Sequence, residues 1–436
     1  YMASLTFIDL FAGCGGLSLG LSKADWRGLF AIEKSPDAFQ TFKHNLIDRN
    51  VVTPFDWPAW LPCQSMTTSE LILGYSSQLK KLRGKVDLIA GGPPCQGFSF
   101  AGRRNPNDPR NRLTEEYIQI VELVQPRFLL LENVKGFKAA FKQNGTNKKK
   151  VYAEVVKEKL EKLGYCVFHQ MCNASTFGVP QPRARFIMIA HKRGENISQP
   201  PFEVLTAFLP EYRDSKGLHK IKDTTVKAAI SDLEVDKCSV VPSVDTKNFE
   251  QIHYKKTRLS TYQRLMREDC NDNYAPNSLR LARHNAETMR RFKVILKKYP
   301  KGKSLTKADL VALGTKKQCF TPLHPEMLSR TITTLPDDLL HYSEPRILTV
   351  RENARIQSFP DWFDFLGKYT TGGARRKEEC PRYSQVGNAV PPLMAEALGL
   401  LIKKLRMRMA IKKKINFKAN AARLYTFIKI GIFEEI

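Results

Sequence analysis

The chain has 436 residues with 70 Lys and Arg against 43 Asp and Glu, a formal net charge of +27 and a pI near 9.7. That is enough chain for one large α/β domain and a smaller one, and the positive surplus asks for a polyanionic partner, nucleic acid before membrane surface. Nine cysteines without a CxxC pair exclude a zinc framework and a disulfide scaffold and favour a reducing, cytoplasmic setting; no apolar run nears the ~20 residues of a membrane span, and Met2 leads straight into a strand with no signal-peptide pattern.

Leu5 to Phe11 (LTFIDLF) reads as a buried strand running into Ala12-Gly13-Cys14-Gly15-Gly16 and an amphipathic segment. Strand, glycine turn and helix open a nucleotide-type site. Glycines stand at positions 13 and 15, but Ser18 takes the third place of the dinucleotide fingerprint, which leaves an adenosine-bearing cofactor. A second strand, Leu29 to Ile32, ends at Glu33, where such folds place an acid for ribose hydroxyls; a pairing of Glu33 with Lys34 is the alternative. Asn45 to Lys85 is irregular apart from a helix over Ser69 to Leu82, and Asp56 there either meets the adenine or serves the loop itself.

Val86 to Ala90 is a short, continuously apolar strand of the parallel-sheet kind. Gly91-Gly92-Pro93-Pro94 stops it and delivers Cys95 into a rigid loop, either as a nucleophile or as a small buried hydrophobe. The basic loop from Arg103 to Arg112 closes over a phosphate backbone or is a solvated connection. A helix over Thr114 to Val124 precedes the strand Phe128 to Leu131, which ends in Glu132-Asn133-Val134. A helix over Lys148 to Gly164 and a strand over Tyr165 to Cys172 follow. Gln181, Arg183 and Arg185 alternate into the strand Phe186 to His191, which puts three donor-rich side chains on one face. From Lys192 to about Pro345 the strand-helix alternation is lost, apart from a helix over Ala282 to Tyr299. Ser343 to Trp362 gives a strand and a short helix, and Arg382 to Pro392 opens a final helix through Leu405. Lys403 to Lys418 is densely basic and Ala419 to Ile436 is mixed in character.

The blocks Phe11-Ala12-Gly13-Cys14-Gly15-Gly16, Glu33, Gly92-Pro93-Pro94-Cys95-Gln96-Gly97-Phe98-Ser99, Glu132-Asn133-Val134, Gln181 to Arg185, Arg351-Glu352 and Gly387-Asn388-Ala389-Val390 stand in one order. In that order the chain resembles the cytosine-5 DNA methyltransferases, bacterial modification enzymes in particular. The resemblance implies a Rossmann-like α/β domain that uses S-adenosylmethionine, with a smaller, irregular target-recognition domain. The catalytic and cofactor domain then spans 1–191 and is completed by 381–405; 192–345 is the target-recognition domain, 346–380 the connection back, and 406–436 a basic extension outside the shared pattern.

By the same resemblance Cys95 is the thiolate that adds to C6 of cytosine, and Glu132 holds a proton at N3. Asn133, Gln181, Arg183 and Arg185 brace the carboxyl, the base or the flanking phosphate. Phe11, Gly13, Gly15, Glu33, Asp56, Pro93, Asn388 and Val390 form the cofactor pocket, and Gln96, Ser99, Arg103 and Arg104 meet DNA. The implied partner is double-stranded DNA with its target cytosine flipped out. The protein is expected to be monomeric, to need no metal and to act apart from any cognate restriction endonuclease. A transfer-RNA cytosine methyltransferase on the same scaffold and a catalytically silent DNA-binding module are the competing readings.

Overall fold

The computed structural model describes residues 4–49, 51–94, 112–138, 140–142, 149–194, 197, 199–255, 258–270, 274–315, 317, 319–371, 375 and 379–407. The order of elements is β1 (Leu5–Leu10), α1 (Gly16–Lys23), β2 (Trp26–Ile32), α2 (Pro36–Lys43), α3 (Thr68–Lys81), β3 (Leu88–Gly91), α4 (Arg112–Val124) and β4 (Phe128–Asn133). A small hairpin, β5 (Ala140–Lys142) and β6 (Lys149–Val151), leads to α5 (Tyr152–Lys162), β7 (Tyr165–Asn173), β8 (Ala184–Lys192) and α6 (Pro201–Ser215).

Six strands form one sheet in the order β2-β1-β3-β4-β8-β7. The first four are parallel, while β8 runs antiparallel to β4 and β7 antiparallel to β8. This topology brings the carboxyl ends of β1 to β4 and the amino end of β8 to one edge of the sheet, where open α/β folds bind their ligands. The continuous apolar runs follow from burial on both faces. Phe7, Leu88, Ala90 and Leu130 pack on one side with Leu17 and Leu21 of α1, Phe202 and Leu205 of α6 and Leu398 and Leu401 of a C-terminal helix over 392–407. Ile8, Leu10, Ile89, Leu129 and Leu131 pack on the other with α3, α4 and α5. Each such side chain taken from water stabilises the fold by about 1.5–3 kcal/mol.

β2 begins three residues ahead of its apolar run, at Trp26, because Trp26 to Gly28 already pair with Leu5 to Phe7 of β1. A Cβ on Gly28 would lie 2.2 Å from the Phe55 ring, and the Asp56 N–H donates to the Gly28 carbonyl at 2.7 Å. The irregular stretch after α2 therefore covers this edge of the sheet. At the other end of the chain the 392–407 helix returns to β2, with Trp26 Nε1 donating to the Gly399 carbonyl at 3.1 Å.

The residues from 192 to 345 enter three packings, the smallest of them formed by Leu233, Cys238, Ile252 and Leu279. Phe202, Phe208, Tyr212, Val226, Ile230, Tyr262 and Met266 extend the core on the α1 face of the sheet. Phe292, Ile295, Leu305, Leu310, Phe320, Leu340 and Ile347 make a small core of their own. Among the described residues this stretch holds only short strand pairs, Val240–Pro242 with Glu250–Ile252 and Thr321–Pro322 with Leu339–Leu340. The helix Val350–Ile356 ties these packings together through buried charges. Glu352 caps its own helix through Thr349 and takes two bonds from the Arg346 guanidinium, at 2.8 and 2.9 Å. Arg355 bonds both oxygens of Asp361, at 2.9 and 2.7 Å, and reaches Asp232. Buried ions of this kind hold only when every one is paired, so their value lies in fixing one arrangement. Among the described residues no helix is long and apolar enough to cross a membrane, and no cluster of His, Cys, Asp and Glu could hold a metal ion.

Candidate active site

The glycines that end β3 are needed for close approach. A Cβ on Gly91 would sit 2.7 Å from the Leu10 carbonyl oxygen, and one on Gly92 would sit 3.1 Å from Glu132 Oε2. Without side chains there, the backbone leading to Cys95 passes directly beside the Glu132 carboxyl at the end of β4. Arg185, near the start of β8, donates from Nε to Glu132 Oε1 at 2.7 Å, both side chains being nearly buried. Burial pulls the Arg185 guanidinium below its usual range, and the neighbouring carboxylate offsets part of that. Asn133 is buried and donates from Nδ2 to the Pro93 carbonyl at 2.9 Å while its Oδ1 accepts the Val134 N–H. The last turn before Cys95 is thereby tied to β4. Cys95, Gln96, Ser99, Arg103 and Arg104 lie outside the described residues.

Arg183 and Gln181 do not lie in the strand that carries Arg185, contrary to the alternation read from the sequence. The strand starts only at Ala184, and before it the Gln181 N–H bonds the Val179 carbonyl and the Arg183 N–H the Gln181 carbonyl, at 2.7 and 2.9 Å. Two successive bonds of this i to i+2 kind turn the backbone and break the two-residue period. Arg183 donates instead to the Ile332 and Gly387 carbonyls at 2.8 and 2.6 Å. Burial, and then the nearby Arg185, pull it well below the usual guanidinium range. Gln181 accepts the Ile332 N–H at 3.1 Å and donates to the Ile356 carbonyl and to Gln357. Gln357 in turn donates to the Val386 and Ala389 carbonyls. Both residues are clamps that hold the C-terminal block against the segment entering β8.

At the ends of β1 and β2 the fixing is done by backbone. Glu33 accepts the Gly13 N–H on Oε2 at 2.9 Å and the Ser35 N–H on Oε1 at 2.8 Å. Burial nevertheless pushes its carboxyl up, against those bonds. Phe11 turns the chain with φ +64°, a left-handed conformation that costs a non-glycine residue about 1 kcal/mol or more. Gly15, at φ +101°, leaves no room for a side chain, since a Cβ would meet Leu46 at 2.7 Å and Phe42 at 2.9 Å. Gly13, at φ +57°, faces open space. A Cβ on Gly16 would lie 2.3 Å from the Val390 carbonyl, so the C-terminal block seats on the glycine turn, with Asn388 exposed beside it. The Asp56 side chain is exposed; its N–H serves the β2 edge.

One residue absent from the sequence reading stands out here. Asp9 is fully buried, accepts the Ser18 hydroxyl at 2.6 Å on Oδ2 and has no partner on Oδ1 among the described residues. Burial pushes its carboxyl up to about 7. A carboxyl inside the predominantly apolar run LTFIDLF was the signal that could have found it.

A profile of the C-5 cytosine-specific DNA methylase family matches residues 5–404. Among curated relatives, the type II methyltransferase M1.HphI of Haemophilus parahaemolyticus is 32% identical over 93% of this chain and 88% of its own. The type II methyltransferase M.DdeI of Desulfomicrobium norvegicum is 31% identical over 90% and 87%. Two solved structures share the fold. One is described as a DNA modification methyltransferase encoded within an Escherichia coli prophage, with TM-score 0.59, 24% identity and coverage of 92% and 99%. The other is the Dnmt2 methyltransferase of S. pombe, with TM-score 0.51, 16% identity and coverage of 92% and 99%.

Proposed function

The chain belongs to the family of C-5 cytosine-specific DNA methylases and is a DNA (cytosine-5-)-methyltransferase, and from that premise we propose that it methylates C5 of a cytosine flipped out of duplex DNA, as the modification enzyme of a restriction-modification system. The observation that carries this reading is the carboxyl of Glu132 lying against Gly92, three positions ahead of Cys95, with Arg185 bonded to it.

The residues present at the β1 and β2 ends fit S-adenosylmethionine. Gly13 opens onto free space, Phe11 offers a partly buried ring, and the Glu33 oxygens keep lone pairs for ribose hydroxyls beyond those used by Gly13 and Ser35. When bound, the cofactor supplies an electrophilic methyl group. Phe11, Gly13, Gly15 and Glu33 would hold it, with Pro93, Asn388 and Val390 closing the same edge.

The chain's own work is to make C5 nucleophilic. Cys95 adds to C6 as a thiolate, which converts the aromatic ring to an enamine with its electron density on C5. Glu132 stabilises the charge that develops by holding a proton at N3. Arg185 fixes the orientation of that carboxyl, and Asn133 fixes the backbone that presents Cys95. After loss of the C5 proton the thiolate leaves. C6 is covered in a stacked duplex, so the base must leave the helix, and the positive surplus of the chain serves the phosphates that flank the gap.

Incubation with methyl-labelled S-adenosylmethionine and either unmethylated duplex DNA or transfer RNA tests the substrate. Label is expected in DNA, and label entering RNA alone would overturn the proposal. Bisulfite sequencing of a plasmid from cells expressing the protein should leave cytosines unconverted in one recurring context.

A further inference from the structure

The sheet has two edges, and the chain treats them differently. The β2 edge is covered by Phe55 and Asp56. At the other edge β7 pairs only with β8 among the described strands, although it is nine residues long. Gln170 is exposed, and Cys166, Phe168, His169 and Met171 are half-buried. A groove of about 750 Å³ runs along this edge, lined by Val167, Phe168 and Gln170, with Lys157 of α5 on one side and Phe202 and Thr206 of α6 on the other. A long unpaired edge is a template for another strand, and proteins usually cover or blunt it.

We propose that this edge is the docking site of the chain's own segment 424–433, which adds to β7 as a seventh strand. The segment reads LYTFIKIGIF. Its even positions are Leu424, Thr426, Ile428, Ile430 and Ile432, and its odd positions are Tyr, Phe, Lys, Gly and Phe. Apart from Lys429 it is uncharged, contains no proline and is rich in β-branched and aromatic residues, the composition of a strand covered on both faces. The groove offers that cover, since α5 flanks it on one face of the sheet and α6 on the other.

Position and reach agree. The C-terminal helix is last described at Met407, and near that end Lys404 bonds Glu211 of α6 at 2.9 Å and lies over the Phe208 ring. The same helix α6 lines the groove. The 16 residues 408–423 can span roughly 50 Å when extended, against about 10 Å for the width of a helix. A tethered strand competes for the edge at an effective concentration near ~1 mM, well above that of a second molecule in dilute solution. The segment lies beyond residues 5–404, the stretch that the family profile matches.

Residue-level hydrogen exchange on the full chain tests this. An edge strand paired on one side protects alternate amides, whereas a strand paired on both sides protects consecutive ones. Protection of consecutive amides over 166–172 is expected, equal at low and high protein concentration. In Ile430→Pro the outward-facing amides should exchange at least about tenfold faster while methyl transfer is retained, and Ile430→Val should behave as wild type. Alternate protection in the wild-type chain would overturn the proposal. So would protection that grows with protein concentration, which means pairing between copies, or that needs anionic vesicles or duplex DNA.

Discussion

Along one edge of the sheet, the β1 and β2 ends and the β4 end each hold a carboxyl, by opposite means. Glu33 is held by two backbone N–H groups, in surroundings that push its carboxyl up. Glu132 is held by a side chain, the guanidinium of Arg185. Backbone donors give a fixed cradle for a carboxylate that meets a ribose, a group the reaction leaves unchanged. A side-chain partner can follow a carboxyl whose proton content matters in the reaction. The first arrangement suits binding and the second suits chemistry.

The widest separation between the two ends is expected from Glu132→Gln. Turnover should fall by about 10²–10⁴-fold, the usual worth of a general acid, with cofactor affinity unchanged. Steady-state label transfer and equilibrium cofactor binding measure the two separately, and an equal loss in both would merge the ends that the comparison keeps apart.

Arg183 and Arg185 sharpen it next, being two residues apart and alike in chemistry. Arg183→Ala leaves the Ile332 and Gly387 carbonyls without their buried donor and should cost about 3 kcal/mol of stability in denaturant unfolding. Arg185→Ala should lower kcat by about 10- to 100-fold with a smaller loss of stability, because a positioning bond to a charged group is worth about 1.5–3 kcal/mol. Equal effects on stability and rate in both variants would contradict the division of roles.

That division was not legible in the sequence. Strand periodicity treats Gln181, Arg183 and Arg185 as one row, and only the two turns ahead of Ala184 separate them. What was legible rests on stronger local rules. The strands Leu5–Leu10, Leu88–Gly91 and Phe128–Asn133 announce themselves by largely apolar runs, and the glycine turn by needing conformations at Gly13 and Gly15 that other residues avoid. The region after Lys192 was opaque because its order comes from distant buried pairs such as Arg355 with Asp232, which no local pattern encodes. Asp9 was readable in principle, as a charge in an apolar run, and its partner Ser18 was noticed only as a departure from a glycine motif.

Asp9 gives the next prediction. Its folded carboxyl titrates at about 7 against an ordinary value of 3.8, so between these values the folded state binds more protons than the unfolded one. Stability contributed by this group therefore falls as pH rises through that window and is constant above it. Asp9→Asn cannot ionise and should gain about 2–3 kcal/mol on wild type between about pH 5 and pH 8, at 1.36 kcal/mol per unit. Parallel stability curves for the two proteins would show that the buried carboxyl is not protonated near neutrality.

The smallest effect is expected from Glu33→Gln, which exchanges a charged acceptor for a neutral one and should weaken cofactor binding about tenfold while leaving kcat nearly unchanged.

The central claim is that Cys95 attacks the target base beside the carboxyl of Glu132. It is tested most directly with duplex DNA carrying 5-fluorocytosine, whose fluorine cannot be lost in place of the C5 proton, so that the thiol stays bonded to C6. With S-adenosylmethionine present, wild-type protein should form a complex with DNA that survives denaturing electrophoresis, and Cys95→Ser should form none. A denaturant-stable complex in Cys95→Ser, or none in wild type on DNA that it methylates, would contradict the account.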